Sequence, residues 1–241
     1  MIQGKKTLPA TNSHIAPPIG LDYDGIMSTK MKNNQFQQRR KLLLGSAALA
    51  LMPKIAFAAG ERVSSDLNHI TAPRVLGKSD APIKVIELFS MTCSHCANFH
   101  NNSFGEITER LIDTGMVQFE MRPFPLDQVA LRGHALARAL PLSKYFPMVS
   151  MLLKDISRWA QAEDPIRALS QMARLAGMGG EEFDAVMRNR ELLEAIVGIR
   201  QASYSQWNIQ STPSFIVNGK TTLSGAMSYE EFADKINAIG A

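Results

Sequence analysis

Ile83-Lys84-Val85-Ile86-Glu87-Leu88-Phe89 runs straight into Ser90-Met91-Thr92-Cys93-Ser94-His95-Cys96-Ala97-Asn98-Phe99-His100. The first stretch is β-branched and apolar, interrupted only by Lys84 and Glu87. It predicts a central strand with a carboxylate buried at its middle. In the second stretch, helix-compatible spacing begins at Cys93, which puts that cysteine at a helix N-terminus with Cys96 one turn inside. Val117 to Met121 then alternates and stops at Pro123 and Pro125, completing a β-α-β unit.

Outward from this unit the pattern changes. From Asp127 to about Gln206 the periodicity is helical, with Val129, Leu131, Ala135, Leu136 and Leu140 forming one face. Asp164-Pro165 reads as an N-cap followed by Pro at the first helical position, and Gly177, Gly179 and Gly180 mark a stop. Ser214 to Val217 is a strand, Asn218-Gly219 a tight turn and Thr221 to Leu223 the return strand. Ser228-Tyr229-Glu230-Glu231 has capping-box spacing and opens a last helix to about Ala238. The chain therefore divides into a lead-in at 59–82 with a short strand at Arg74-Val75-Leu76, a β-α-β half at 83–126, a helical insertion at 127–206 and a β-β-α half at 207–241.

The 241 residues carry 26 Lys plus Arg against 22 Asp plus Glu, a formal charge of +4. Much of that charge belongs to an N-terminal address. Arg39-Arg40-Lys41, the apolar run Leu42 to Met52 and the small-x-small Ala56-Phe57-Ala58 follow the secretory order, so residues 1–58 read as an export leader cleaved after Ala58. The paired arginines resemble a twin-arginine signal with Gln38 in place of the usual Ser or Thr, and the route is Sec or twin-arginine. Met1, Met27 and Met31 are candidate starts, and an uncleaved N-terminal anchor is the alternative to cleavage. Residues 1–58 hold eight basic side chains and two acidic ones, which leaves 18 basic and 20 acidic in the remainder, a net −2. A basic nucleic-acid surface loses its support.

Two cysteines, both within the four residues Cys93 to Cys96, exclude a multi-disulfide scaffold. A zinc or iron–sulfur site wants four ligands, and only His95, His100 and Glu87 stand near the pair. Haem attachment requires His after the second cysteine, where Ala97 stands. A static disulfide across so short a loop constrains little of the unfolded chain. Dithiol/disulfide exchange explains both the pair and its place. A helix N-terminus favours the Cys93 thiolate, and His95 adds a positive charge or hydrogen bond. Cys96, more buried, is the resolving thiol.

Glu87 to Cys96, the helical insertion and Ser211-Thr212-Pro213-Ser214-Phe215-Ile216-Val217-Asn218-Gly219 together resemble DsbA-type thiol:disulfide oxidoreductases, from about Val75 to Ile239. The resemblance implies an α/β thioredoxin-like fold with an inserted all-helical subdomain. Cys93 matches the nucleophile, Cys96 the resolving cysteine and Glu87 the buried acid that moves the proton of Cys96, as against a strand carboxylate with a nearby lysine. Pro213 matches the cis-proline, with Thr212 before it facing the disulfide. Thr212, Pro213 and Ser94 are the substrate-side positions. The family's commonest pair between the cysteines is Pro-His, where this chain has Ser94-His95.

The function expected is oxidation of exported proteins with free thiols in the periplasm or cell envelope. The enzyme is expected to be a monomer without cofactor or metal, reoxidised by a quinone-linked membrane partner. The alternatives are an envelope isomerase or reductase, or a non-catalytic peptide-binding protein on the same scaffold. His100 reads as an ordinary surface histidine, His69 and His134 as solvated, and Met91, Phe99, Trp159 and Trp207 as core or rim.

Overall fold

The computed structural model describes residues 63–240, within a unit spanning Lys54–Ala241. The expected leader, its cleavage site and the candidate starts lie outside the described residues. Five strands form one sheet in the order β1 (Val75–Leu76), β3 (Val117–Pro123), β2 (Ile83–Phe89), β4 (Ser214–Val217), β5 (Thr221–Ser224). The strand that carries Glu87 lies at the centre, parallel to β3 and antiparallel to β4. β4 and β5 pair antiparallel across the Asn218-Gly219 turn, where both residues have positive φ (50° and 70°). That backbone is the reason the turn wants Asn and Gly.

The β2–β3 crossover runs through α2 (Ser94–Asn102), α3 (Phe104–Ile107) and a π turn (Thr108–Ile112). Register fixes what β2 shows to each side. Glu87 stands opposite Met121 and Phe215, and Val85 opposite Phe119 and Val217. On this face Phe99 of α2, Phe119, Phe215 and Phe232 pack ring against ring, with centroids 4.8–6.5 Å apart. The opposite face is a smaller cluster of Leu88, Phe124, Ile209 and Ile216, flanked by Ile86 and Trp207. Phe232 comes from the C-terminal helix α10 (Tyr229–Gly240).

Between β3 and β4 lie α4 (Gln128–Ala139), α5 (Leu142–Lys154), α6 (Ile156–Ala160), α7 (Pro165–Leu175), α8 (Gly180–Arg188) and α9 (Arg190–Trp207). Asp127 caps α4 by accepting from the Ala130 N–H at 2.7 Å, and Asp164 caps α7 through the Arg167 N–H. Trp159 is fully buried and donates its indole N–H to the Leu152 carbonyl at 2.9 Å. It touches α4 at Gly133, where an added Cβ would sit 3.0 Å from the indole and 3.2 Å from Met91. The missing side chain lets α4 press on the segment that leads into the cysteines.

The lead-in contains a helix the sequence reading did not include, α1 (Leu67–Thr71), capped by Asp66. Long-range contacts hold it. Arg138 of α4, 2% exposed, donates to the Ile70 and Ala72 carbonyls, and Arg74 donates to the His69 and Arg138 carbonyls. Two like charges are buried here against helix-end carbonyls, which carry partial negative charge. His69 is half-buried with Nε2 3.0 Å from the Leu140 carbonyl, not solvated. His134 is also not solvated: it is fully buried in α4 beside Phe89, centroids 4.9 Å apart. Neither ring nitrogen makes a hydrogen bond of normal geometry, although the Phe89 backbone lies close enough to favour the charged ring weakly. Burial dominates and pushes its pKa down to about 3, with the Arg138 charge adding to the effect.

Candidate active site

Cys93 is the N-cap of α2, with extended backbone (φ −80°, ψ 117°), which puts its side chain at the helix end where the first-turn N–H groups lack intrahelical partners. The strand delivers it there: β2 ends at Phe89, and Ser90 to Thr92 form the turn. That turn is pinned from the helical insertion. Thr92 donates to Asp127 at 2.6 Å, and the Leu126 N–H donates to Ser90 Oγ at 3.3 Å. One Asp127 carboxylate thus caps α4 with one oxygen and holds the residue before Cys93 with the other. Sequence reasoning took Asp127 only as the start of the helical periodicity and gave Thr92 no role.

Both cysteines are free thiols, Cys93 half-buried and Cys96 fully buried. The Cys93 thiol donates to the Thr212 carbonyl at 3.3 Å, across 119 residues of chain. Thr212–Pro213 is a cis peptide bond, and Thr212 is buried with its hydroxyl unpartnered. The Cys93 pKa is held down to about 5, chiefly by the hydrogen bond from the Cys96 thiol. Partial burial opposes this, while the adjacent Thr212 side chain and the N–H groups of Cys96 and His95 add to it. Cys96 is driven far upward by burial first, then by its bond to Cys93, then by the Glu87 charge. The pair is a surface thiolate over a thiol that resists ionising.

His95 and Ser94 are exposed, and what His95 contributes to the thiolate is its backbone N–H. Glu87 is fully buried, as expected from its place in the strand. The nearby lysine does not reach it: Lys84 is exposed and donates to the Ser79 carbonyl and Gln118. The partner of Glu87 is His100, whose Nε2 lies 2.9 and 3.1 Å from the two carboxylate oxygens. A nitrogen facing two acceptors carries the proton. The ring is 4% exposed, so His100 is not the surface residue the sequence suggested. The available signal was its spacing, four residues after Cys96 on one helical face. Met91, Phe99 and Trp159 are core, and Trp207 is at the rim. Among the described residues no three His, Cys, Asp or Glu side chains converge as a metal set.

A family model described as Thioredoxin matches residues 70–238. The chain belongs to the thioredoxin family. Within that family its likeness is to DsbA-type proteins. A putative protein-disulfide oxidoreductase of Rickettsia bellii is 29% identical over 149 residues, covering 61% of this chain and 58% of that protein. The chain thus matches less than two thirds of the length of the Rickettsia relatives. The thiol:disulfide interchange protein DsbL of Escherichia coli is 22% identical over 223 residues, covering 83% and 95% of the two chains. The crystal structure of Wolbachia pipientis alpha-DsbA1 superposes with a TM-score of 0.63 at 26% identity, covering 70% of this chain and 90% of that one. The thioredoxin-like sheet with its helical insertion is the fold of these DsbA proteins.

Proposed function

We propose that the chain is a protein-disulfide oxidoreductase that passes a Cys93–Cys96 disulfide to exported proteins with free thiols. The observation that carries this reading is the placement of the two thiols, Cys93 half-buried at the N-terminus of α2 against the Thr212 carbonyl and Cys96 fully buried behind it, which favours Cys93 as thiolate and Cys96 as thiol. A disulfide whose outer sulfur is a stabilised thiolate when released is an oxidant toward ordinary thiols. A substrate thiolate attacks the Cys93 sulfur, the Cys93–Cys96 bond breaks, and Cys96 leaves with the electron pair and takes up a proton. A second substrate thiolate then attacks the substrate sulfur of the mixed disulfide, forming the substrate disulfide and releasing Cys93 as thiolate.

Thr212 and Pro213 lie beside the Cys93 sulfur, where an extended substrate segment can pair with backbone. Glu87 serves as the proton carrier for Cys96, and exposed Ser94 and His95 meet the substrate. The reduced protein is returned to the disulfide by a quinone-linked membrane partner, and the enzyme works as a monomer in the cell envelope. No helix among the described residues is long and apolar enough to cross a membrane.

The test is oxidation of a reduced, unfolded substrate protein by the purified disulfide form. Wild type is expected to generate substrate disulfides one for one, and Cys93→Ser and Cys96→Ser, neither of which can form the Cys93–Cys96 disulfide, to generate none. Absence of thiol exchange by wild type sinks the reading. A pair found mostly reduced in the envelope makes the protein an isomerase or reductase instead.

A further inference from the structure

Glu87 is buried in the sheet without a lysine, and the group that meets it is His100, one turn beyond Cys96 on α2. The imidazole is enclosed by Phe104, Phe99 and Phe89, with centroids at 4.5, 5.5 and 6.1 Å. A carboxylate in such surroundings is costly unless its charge is compensated. The charge of Glu87 also reaches Cys96. The other groups facing this region are few. Tyr145 of α5 is buried and feels Glu87, and His134 of α4 borders Phe89 and stays neutral. Glu106 of α3 is paired outward with Arg110, and Glu120 and Arg122 of β3 are paired with each other.

We propose that His100 is a positioning residue for thiol exchange: its N–H holds the Glu87 carboxylate in place and compensates its charge, so that the carboxylate can take the proton Cys96 gives up. This rests on the exchange reading above and adds a second member to its buried proton site. In the step concerned, a small thiol such as glutathione is bound to Cys93 as a mixed disulfide. The Cys96 proton passes to Glu87 and on to solvent, and the Cys96 thiolate attacks the Cys93 sulfur. The Cys93–Cys96 bond forms, the bond to glutathione breaks, and glutathione leaves as a thiolate that takes a proton from water.

Without His100 an uncompensated carboxylate stays beside Cys96. If it keeps its charge it repels the forming thiolate, and if it takes up a proton it no longer accepts one. Either way the step slows.

The experiment follows glutathione release from Cys93 in the full chain between about pH 5 and 9. His100→Phe keeps a ring inside the Phe89, Phe99 and Phe104 cage and removes the N–H. Release is expected to fall about tenfold near neutral pH, the effect of losing one charge-assisted hydrogen bond on a rate. Its pH profile shifts while the ultraviolet titration of the Cys93 thiolate stays in place. His100→Gln, which restores a donor, recovers part of the rate, and in a Glu87→Gln background His100→Phe has no further effect. Release by His100→Phe at the wild-type rate and pH profile overturns the proposal, as does an undiminished slowing in the Glu87→Gln background. Should His100→Phe not fold, His100→Ala takes its place with imidazole added. Restored release supports the proposal and unrestored slow release overturns it. A wild type that forms no mixed disulfide with glutathione at all fails the exchange reading itself, whatever His100 does.

Discussion

Cys93 and Cys96 sit one helical turn apart, and their surroundings drive them in opposite directions. Cys93 has helix N–H groups, a neighbouring thiol donor and partial access to water; Cys96 is closed in by core, and its burial outweighs the one backbone hydrogen bond, at Ser90, that favours its thiolate. Because the Cys96 thiol is the chief support of the Cys93 thiolate, Cys96→Ala is expected to raise the Cys93 titration midpoint from about 5. One hydrogen bond to an ion is worth about one to two pH units, readable by ultraviolet thiolate absorbance. An unchanged midpoint would mean that the helix N–H groups and Thr212 set it without Cys96. The cis bond before Pro213 was implied by the resemblance to DsbA-type proteins alone, whereas the pair at a helix start and the burial of Glu87 in mid-strand were legible in the sequence. His100 was not, because its environment depends on how α2 lies across β2, and helical spacing specifies a face without saying what covers it.

At the scale of elements, strand, turn and helix types followed from local pattern, including the Asp164 cap. What escaped was what distant segments impose. α1 is five residues long, too short to stand alone in water, and it exists because Arg138 and Arg74 grip its carbonyls from afar. Asp127 joins two elements in the same hidden way. Asp127→Ala removes the cap of α4 and the anchor of Thr92 together. We expect a loss of about 1–2 kcal/mol in chemical denaturation and a Cys93 that turns over more slowly. Asp127→Asn, which still caps, is expected to recover most of the stability. Equal loss in both variants would show that the cap is not what Asp127 supplies.

The whole molecule inherits a pH dependence from these groups. The Cys93 pKa lies below that of an unfolded thiol, so its contribution to the stability of the reduced form is complete above about pH 8.5 and is lost as pH falls through about 5. The disulfide form has no such group. The excess of the reduced form's Tm over the oxidised form's is therefore expected to widen from about pH 5 to 8.5. Above that, Cys96, which resists ionising, acts in the other direction. A gap independent of pH over this window would contradict the depressed thiol. His134 acts in both forms: its pKa of about 3 lies below the free value, so its neutral burial stabilises fully above about pH 6.5 and less with each step toward 3. His134→Phe is expected to flatten the acid limb of the oxidised protein's stability curve.

The contact between the Cys93 thiol and the Thr212 carbonyl joins residues 119 positions apart. A chain made or threaded N-terminus first exposes its cysteine pair long before the segment that completes the site has appeared. Until then, whatever Thr212 contributes to Cys93 is missing, and so is β4, which covers Glu87 on the sheet. Maturation of the reactive sulfur is thereby timed to the appearance of Thr212 and β4. A nascent molecule carries a pair of thiols whose outer member is not yet in its final surroundings, and a chain cut short before Thr212 stays that way.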